Sequence, residues 1–588
     1  MQSLFEDGVL QRDGTVKLAR SMNSVKVPAT VQAVLAARID RLPPEAKELL
    51  QTLGVLGREF PLGLIRHVTQ KADDDVNRML NDLQLGEFIY EQPAVGETEY
   101  IFKHALTQEV AYNLLLIERR KQLHERAGQA LEAMLAGQLD DHLDELAHHY
   151  SRSDNIKKAV EYLGRTGNQA MQRSAYRDAV NGLSGAINLL QKLPDNTERT
   201  RRELLLQLDL GPALITVNGW AAAEVGQAHT RARELCAQLG DPPEELFPAL
   251  YGLWLKYLTG NELPRAYELA EEFLRRAEGS GDPAPLLYAR YTVGNSLYWM
   301  GEFLAAREHL ETAITHYDPE RHRTLALRFE GYCAKLINLL MLSWVLWKLG
   351  YPERAIKRSN EARALAERLA NPRDAARVLV FTSIVHRNRR EIRATQESAE
   401  VVLALSTEHG ITEWLAWATA LRGWAIAAQG NHEEGIARIE EGIARSRGMI
   451  ELHRWYFLCM LAEASMEAGR LDEGLRALRQ ALATADQQEE RFYEAEIHRL
   501  QGELLLKQND SKAAEAQSCF ERAIEIACQQ SAKSLELRAT MSLARLLANQ
   551  GRRDDARTML AEIYNWFSEG FDTADLKDAK VLLDKLGT

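Results

Sequence analysis

Residues 429–435 read QGNHEEG and residues 468–474 read AGRLDEG, and each segment stands between two amphipathic runs. The glycines of these segments, Gly430 and Gly469, mark turns. Similar turns stand at Gly260, Gly301, Gly350 and Gly551. Successive turns are 39 to 49 residues apart, or about twice that, so further turns are expected near Arg390 and Asn509. A period near forty without strand signals predicts an array of helical hairpins.

Small residues flank these turns at fixed distances. Seven residues before the turn stand Gly294, Ser343, Gly423, Ala462 and Ala544, and five residues after it stand Ala306, Ala355, Gly435, Gly474 and Ala556. Small residues at both places let paired helices approach closely. The pattern resembles the tetratricopeptide repeat (TPR), stretched from about 34 to about forty residues. It covers about three quarters of the chain, and the resemblance implies an all-α fold, a right-handed TPR-like α-solenoid.

Residues 24–103 follow a different pattern. Three helical segments precede a hairpin: PATVQAVLAARIDRL, PEAKELLQTLGVLG and DDDVNRMLNDLQLG, then EFIYEQ and EYIFK. Three helices and a hairpin predict a small winged-helix domain. Its third helix carries Asp73, Asp74 and Asp75, which repel phosphate groups, so packing against protein is favoured over DNA binding.

The patterns divide the chain into five segments. They are a helix end and a hairpin at 1–23, the winged helix at 24–103, bridging helices at 104–141, helical repeats at 142–570 and a C-terminal capping helix at 571–588. Within the first segment, the Asp13-Gly14 pair between VLQR and TVKL predicts a tight hairpin.

Three further stretches carry a more specific resemblance. They are residues 27–60 (VPATVQAVLAARIDRLPPEAKELLQTLGVLGREF), residues 102–112 (FKHALTQEVAY) and residues 566–586 (WFSEGFDTADLKDAKVLLDKL). Together they resemble the carboxyl half of bacterial proteins in which a class III adenylate or guanylate cyclase domain precedes a STAND/AAA ATPase, a winged helix and TPR-like repeats. The resemblance implies that residues 1–23 are a remnant of the ATPase lid and that the chain is cut on its amino side.

The same resemblance gives a role to Arg38 and Asp40, in the segment ARIDRL. They match a motif near the ATPase boundary and are expected to couple the nucleotide state to the winged helix. The alternative is a helix-surface arginine with a local carboxylate.

Motifs for catalysis and cofactors are missing from the sequence. It contains no GxxxxGK[ST] phosphate-binding loop and no GxSxG. We therefore expect no catalysis and no cofactor in this chain, since ATP and Mg²⁺ are implied only for the absent upstream domain. His142, His148 and His149 lie near Glu145, but their spacing favours an exposed Glu145–His149 pair over a zinc site.

Composition narrows the partners and the compartment. The net charge of −12 disfavours nucleic acid. Five cysteines without a CxxC pair favour a reducing compartment, the cytoplasm. The most apolar stretch, LINLLMLSWVLW at 336–347, is shorter than the ~20 residues of a membrane span, so it predicts a buried helix and no membrane partner.

Aromatic residues point to a binding surface. Eight of the ten tryptophans lie between residues 254 and 455. The position after the small residue is expected to face the groove of the array. The expected partner-binding groove contains Trp254, Trp344 and Trp424 at this position, and Tyr257, Tyr298 and Trp347 one helical turn further on. Asn295 and Arg387 are its expected polar residues. The alternative is that these residues form the core between repeats.

These observations support three hypotheses for function. The first is a non-catalytic sensor and scaffold that binds a protein or peptide and regulates an ATPase/cyclase domain in cis or in trans. The second is a fragment of an adenylate/guanylate cyclase or ATP-binding ATPase. The third is a STAND-type transcription regulator, which the acidic third helix disfavours.

Overall fold

The computed structural model describes residues 10–13, 15–18, 31–93, 98–220, 222–260, 262–318, 329, 333–446 and 454–587. The chain forms two compact units, residues 1–170 with 181–194 and residues 171–180 with 195–588. The described residues form 28 α-helices and five short strands, so the chain is all-α, as the sequence predicts. The helix predicted at the start of the chain lies outside the described residues.

The N-terminal unit begins with a hairpin whose strands pair antiparallel with Leu10 opposite Leu18. Its elements are β1 (Leu10–Asp13), β2 (Thr15–Leu18), α1 (Val31–Asp40), α2 (Pro44–Leu56), β3 (Glu59–Pro61), α3 (Leu62–Thr69), α4 (Asp73–Leu85), β4 (Ile89–Pro93), β5 (Thr98–Phe102), α5 (Ala105–Asn113), α6 (Ile117–Met134) and α7 (Leu143–Ser151). Two further helices, α8 (Ile156–Gln172) and α9 (Tyr176–Leu190), contain the boundary between the units.

The segment predicted as three helices and a hairpin contains one more helix and one more strand. Strands β3, β5 and β4 form an antiparallel sheet in that order. The ring of Phe60 packs edge-on against Phe102 at 5.5 Å. Helix α3 was not predicted because it is only eight residues long. Its buried side chains, Leu64, Ile65 and Val68, give too short a run for a clear helical period.

The histidines of this unit do not form the expected exposed pair. His149 is buried rather than paired with Glu145. Its Nδ1 atom lies 3.0 Å from Nδ1 of His124, whose Nε2 atom lies 3.1 Å from the hydroxyl of Tyr112. Burial lowers the pKa of both His124 and His149 to about 3. Among the described residues, no group of three or more His, Cys, Asp and Glu side chains is arranged to hold a metal ion.

The larger unit is built from antiparallel helical hairpins. Its helices are α10 (Thr197–Asn218), α11 (Ala223–Gln238), α12 (Pro243–Thr259), α13 (Leu263–Ser280), α14 (Pro283–Met300), α15 (Phe303–Thr315), α16 (Ala334–Lys348), α17 (Pro352–Leu369), α18 (Pro372–Asn388), α19 (Ile392–His409), α20 (Leu415–Ala428), α21 (His432–Ser446), α22 (Arg454–Glu467), α23 (Leu471–Gln488), α24 (Glu494–Gln508), α25 (Ala513–Gln529), α26 (Lys533–Asn549), α27 (Arg553–Trp566) and α28 (Ala574–Gly587).

The turns fall where the sequence places them. Gly301 and Gly350 have φ angles of +88° and +90°, a left-handed conformation that glycine adopts without strain. Arg390, with φ +61°, stands in one of the two turns without a glycine. The small residues act as predicted, since a Cβ atom on Gly423 would lie 2.8 Å from the backbone oxygen of Gly435 on the partner helix.

Segments far apart in the sequence also touch within this unit. The amide of Arg491 donates to the carbonyl oxygen of Trp299 at 2.8 Å. The hydroxyl of Ser534 donates to the carbonyl oxygen of Trp347 at 2.6 Å. The ring of Phe492 also lies against Trp299, with ring centres 4.5 Å apart, so later hairpins cover side chains of earlier ones. The apolar helix α16 is buried, as predicted, and no described helix is long and apolar enough to span a bilayer.

Candidate functional site

The residues of the expected groove lie on the first helices of successive hairpins and are almost all buried. Trp254 is 1% exposed, and Trp424, the most accessible of the buried members, is 8% exposed. Tyr257 is half-buried, with the charged groups of Lys256 and Arg265 at 5.2 Å and 5.9 Å from its ring centre. The expectation of an open aromatic surface is therefore not met, because contacts across the interior cover it.

The structure distributes these residues over separate places. Trp254, Asn295 and Trp344 line one small cavity whose walls are mostly aromatic. Arg387 and Trp424 line a second, charged cavity. Tyr257, Tyr298 and Trp347 line neither cavity. Tyr298 lies against Trp299 and Phe492, and Trp347 packs beneath the guanidinium of Arg538 at 4.9 Å.

The charged cavity measures ≈ 390 Å³ and lies between the first helices of the last hairpins. Helices α18, α20, α22, α24 and α26 contribute to its wall, together with the C-terminal helix α28. Its charged residues are six cations, Arg387, Arg390, Arg499, Lys507, Arg538 and Arg545, and six anions, Glu463, Glu467, Glu496, Glu503, Asp575 and Asp578. Its volume is within the range of about 300–1,000 Å³ that is usual for small-ligand pockets.

Arg387 organises one side of this cavity. Its Nη2 atom donates to Glu463 Oε1 at 2.7 Å, and its Nη1 atom donates to the hydroxyl oxygens of Tyr456 at 2.7 Å and Tyr493 at 3.0 Å. The indole N–H of Trp424 donates to the other oxygen of Glu463 at 2.7 Å. Three different helices thus hold the Arg387–Glu463 pair in one orientation.

A second network forms the floor of the cavity. Arg499 donates to both oxygens of Glu496, at 2.9 Å and 2.7 Å, in a bidentate pair. Arg538 donates to Asp575 at 2.8 Å and to the carbonyl oxygen of Asn388 at 2.6 Å. Burial raises the pKa of Glu496, but the guanidinium of Arg499 and its hydrogen bonds outweigh burial and lower that pKa to about 2. The carboxylate is therefore charged at neutral pH.

The rim of the cavity holds groups that a ligand can reach. Lys507 pairs with Glu467 at 3.0 Å, with both side chains about half exposed, whereas the buried Ser542 donates to Glu503 Oε1 at 2.5 Å within the wall. Arg545 is exposed and has no ion-pair or hydrogen-bond partner in the part of the chain that the structure describes. Within this described part, Arg545 is therefore an unpaired cation beside charged side chains that form ion pairs with one another.

Among the charged residues of this cavity, the sequence pattern singled out Arg387 alone, although three others occupy the same place in their hairpins as the predicted tryptophans. Six residues before the turn stand Trp254, Asn295, Trp344 and Trp424 in four hairpins. The same place holds Glu463 before Gly469, Glu503 before Asn509 and Arg545 before Gly551. The inner stripe therefore changes from aromatic to charged along the chain, and only its aromatic half was singled out.

Arg38 and Asp40 lie within the N-terminal unit and contact local groups. Arg38 donates to the carbonyl oxygen of Gly86 at 3.0 Å and stacks on Phe88 at 5.0 Å. Asp40 pairs with Lys47 at 2.7 Å on the surface. These contacts fix both side chains on α1, and the coupling role remains a prediction.

The comparison with protein families matches the description "Tetratricopeptide repeat" at residues 416–441, 455–480 and 537–562. These ranges cover the hairpins α20–α21, α22–α23 and α26–α27, whose first helices line the charged cavity. The larger unit is thus a TPR-like helical-repeat structure.

One curated relative, an uncharacterized protein of Rhizobium meliloti (strain 1021), is 24% identical over 537 residues. The match covers 90% of this chain and 51% of that protein. The chain therefore spans about half the length of the curated relative it matches.

Several solved structures are similar in architecture. A Rap protein complexed with Competence and Sporulation Factor is 13% identical with a TM-score of 0.40, covering 59% of this chain and 97% of that one. The quorum sensor NprR of B. thuringiensis, in its apo form, is 13% identical with a TM-score of 0.40. The match covers 63% of this chain and 99% of NprR. A STAND protein with a tetratricopeptide repeat sensor from Pyrococcus horikoshii is 13% identical with a TM-score of 0.30. The match covers 96% of this chain and 68% of that protein. These values are too low for the ligands or partners of those proteins to be transferred to this chain.

Proposed function

We propose that this chain is a non-catalytic sensor region that binds a peptide, or an extended segment of a protein, in the charged cavity. The observation that carries the proposal is the exposed cation Arg545, unpaired among the described residues, at the rim of a cavity whose buried charges are held in fixed pairs. TPR-like hairpins present such inner surfaces to partner chains.

The balance of charge favours a peptide over a polyanion. The cavity is lined by six cations and six anions, whereas a site for phosphate groups needs an excess of cations. A peptide offers amide groups and side chains of both signs, which can meet both kinds of wall group. Arg545 then binds an acidic side chain or a terminal carboxylate.

The buried ion pairs around the cavity also support a role in binding. A buried ion pair seldom stabilises a fold better than apolar side chains of the same size, because desolvation offsets the attraction. The side chain of Arg387 is 2% exposed and that of Glu463 is 22% exposed. A set of such pairs around one cavity is explained by recognition of a polar partner rather than by stability.

The larger context of the sensor is a second part of the proposal. Since the chain matches only 51% of its curated relative, a region of similar size lies outside the match in that protein. We assign the chain to the regulatory part of a cytoplasmic signalling ATPase or nucleotide cyclase, with residues 24–103 as a winged helix that passes on the signal. ATP and Mg²⁺ belong to the other domain. Transcription regulation is less favoured because Asp73, Asp74 and Asp75 open α4.

The test is to select, from a library of random pentapeptides, those that bind the purified full chain. The library is synthesised in two forms, one with free carboxyl termini and one with amidated carboxyl termini. We expect selected peptides to carry an acidic group, and to lose at least tenfold in affinity with Arg545→Gln. Arg479→Gln is the matched control, because Arg479 on α23 is also exposed and has no partner among the described residues. Equal loss in both variants, or no selected peptide, would overturn the proposal.

A further inference from the structure

The aromatic cavity of the larger unit is a separate place, lined by the earlier hairpins. It measures ≈ 50 Å³. Six of the ten tryptophans of the chain line it: Trp220, Trp254, Trp299, Trp344, Trp414 and Trp417. Three more aromatic rings complete the wall, and Arg377 is the one charged side chain among the described lining residues. The charged cavity shares none of these residues.

Two tryptophans in this wall have indole N–H groups without an acceptor. Trp220 is 8% exposed and Trp414 is 2% exposed, and neither Nε1 atom has a hydrogen-bond partner among the described residues. Other buried tryptophans of the same wall are satisfied, since Trp254 donates to Ser296 at 3.0 Å and Trp344 to the carbonyl oxygen of Phe381 at 3.0 Å. A buried donor without an acceptor loses its hydrogen bond to water and gains none in return, so two in one cavity need an explanation.

The two indoles lie together and beside a positive charge. The ring centres of Trp220 and Trp414 are 4.8 Å apart and both side chains line the cavity, so the two indoles lie within the span of one small ligand. The guanidinium of Arg377 lies 5.8 Å from the ring centre of Trp414 and donates to the hydroxyl of Tyr291 at 3.1 Å. The positive charge of Arg377 thus belongs to the wall in which the two donors lie.

We propose that the aromatic cavity binds a compact organic carboxylate, whose oxygens accept hydrogen bonds from the indole N–H groups of Trp220 and Trp414. The charge of Arg377 offsets that of the carboxylate, and the aromatic walls pack against the apolar body of the acid. The small volume restricts the ligand to a monocarboxylic acid with a short aliphatic body or a single ring. The site is independent of the peptide cavity, so each can fail without the other.

The chemistry of the wall excludes other classes of small ligand. A cation is disfavoured by Arg377, and no acidic side chain lines the cavity among the described residues. A neutral hydrocarbon leaves both N–H groups without an acceptor. A neutral amide supplies an acceptor but not the negative charge, so amides serve as matched controls for the corresponding acids.

The experiment uses the full chain labelled with 5-fluorotryptophan and observed by fluorine NMR. Resonances of Trp220 and Trp414 are assigned with the variants Trp220→Phe and Trp414→Phe. Acetate, propionate and benzoate are titrated, each beside its amide. We expect at least one acid to shift both resonances saturably, to leave the resonance of Trp566 unchanged, and to bind at least tenfold more tightly than its amide. Trp566 is 40% exposed and lies outside the cavity.

Variants supply the second readout. Trp414→Phe keeps an aromatic ring but removes one donor, so it should weaken the acid at least fivefold, whereas Trp455→Phe, a substitution of a buried tryptophan outside this cavity, should not. Circular dichroism melting shows whether each variant is folded. Three results would overturn the proposal: no saturable shift with any acid, equal binding of acid and amide, or unchanged affinity in a folded Trp414→Phe. The first of these would assign the N–H groups to buried water.

Discussion

Arg387 and Glu463 lie 76 positions apart in the sequence, yet Arg387 Nη2 donates to Glu463 Oε1 at 2.7 Å. The pair joins α18 to α22, two hairpins along the array. Tyr456 and Tyr493 accept further hydrogen bonds from Arg387, and Trp424 donates one to Glu463. The charged cavity is thus held by side chains that the helical repeat brings together, and this relationship can be tested directly.

Removal of one partner should harm the fold more than removal of both. Arg387→Met leaves the carboxylate of Glu463 without its counterion, and we expect a loss of about 3 kcal/mol in the free energy of unfolding. The double variant Arg387→Met/Glu463→Leu should recover most of this loss. Urea denaturation of the full chain measures both. Arg393→Gln is the control, because its pair with Glu397 is exposed and contributes less than about 1 kcal/mol.

Helix contact at the small residues gives a second prediction. A Cβ atom on Gly423 would meet backbone atoms of Gly435 and Ile439 at 2.8 Å, and backbone cannot move aside. Gly423→Ala should therefore lower the free energy of unfolding by about 1–3 kcal/mol. Gly226→Ala should be neutral or stabilising, because the nearest atom there is the flexible end of Lys256 at 3.4 Å. Equal effects of the two substitutions would contradict the close-packing account.

The buried amine of Lys348 gives a third prediction. Its Nζ atom lies 4.0 Å from the ring centre of Tyr493 and has no hydrogen-bond acceptor among the described residues. Burial lowers its pKa well below the usual value for lysine. Lys348→Met should raise the free energy of unfolding by about 1–3 kcal/mol at pH 7, because it removes a buried amine that has lost its hydration and has no acceptor among the described residues. Lys580→Met, at an exposed ion pair, should change stability little. A destabilised Lys348→Met would show that the contact with the aromatic rings outweighs burial.

The histidines of the N-terminal unit predict acid sensitivity. Burial lowers the pKa of His124 and His149 to about 3, against 6.5 for an exposed histidine. Below pH 6.5 the unfolded chain takes up protons that the folded unit does not bind, so stability is lost as the pH falls from about 6.5 to about 3. Hydrogen-exchange protection of α6 and α7 in the full chain should decrease between pH 7 and pH 5 after correction for the intrinsic rates. The decrease should be smaller in His149→Gln; the same decrease in both proteins would remove the histidines as its cause.

The repeat architecture could be predicted from the sequence because it rests on local rules. A turn glycine, a small residue seven positions before it and another five positions after it are all readable within one hairpin, and Gly423 and Gly435 make the predicted contact. The position six residues before the turn was also predicted to face inward, and residues at this position line both cavities.

Features that depend on contacts between distant hairpins could not be predicted. The enclosure of the aromatic stripe depends on contacts such as the one from Arg491 to Trp299, 192 positions away. The contact between His124 and His149 joins the consecutive helices α6 and α7, and no local sequence pattern specifies how these two helices pack. The charged half of the stripe could have been predicted from the repeat spacing. However, Glu503 and Arg545 cannot be distinguished from ordinary surface charges until their neighbours are known.

The central claim is that a peptide binds in the charged cavity with an acidic group on Arg545, and charge reversal tests it most directly. The measurement is the Kd of the best selected acidic peptide, and of its lysine counterpart at the acidic position, for the wild-type chain and for Arg545→Glu. The account predicts that Arg545→Glu loses at least tenfold for the acidic peptide and regains most of this affinity with the lysine peptide. Arg545→Glu that binds both peptides as the wild-type chain does would contradict it.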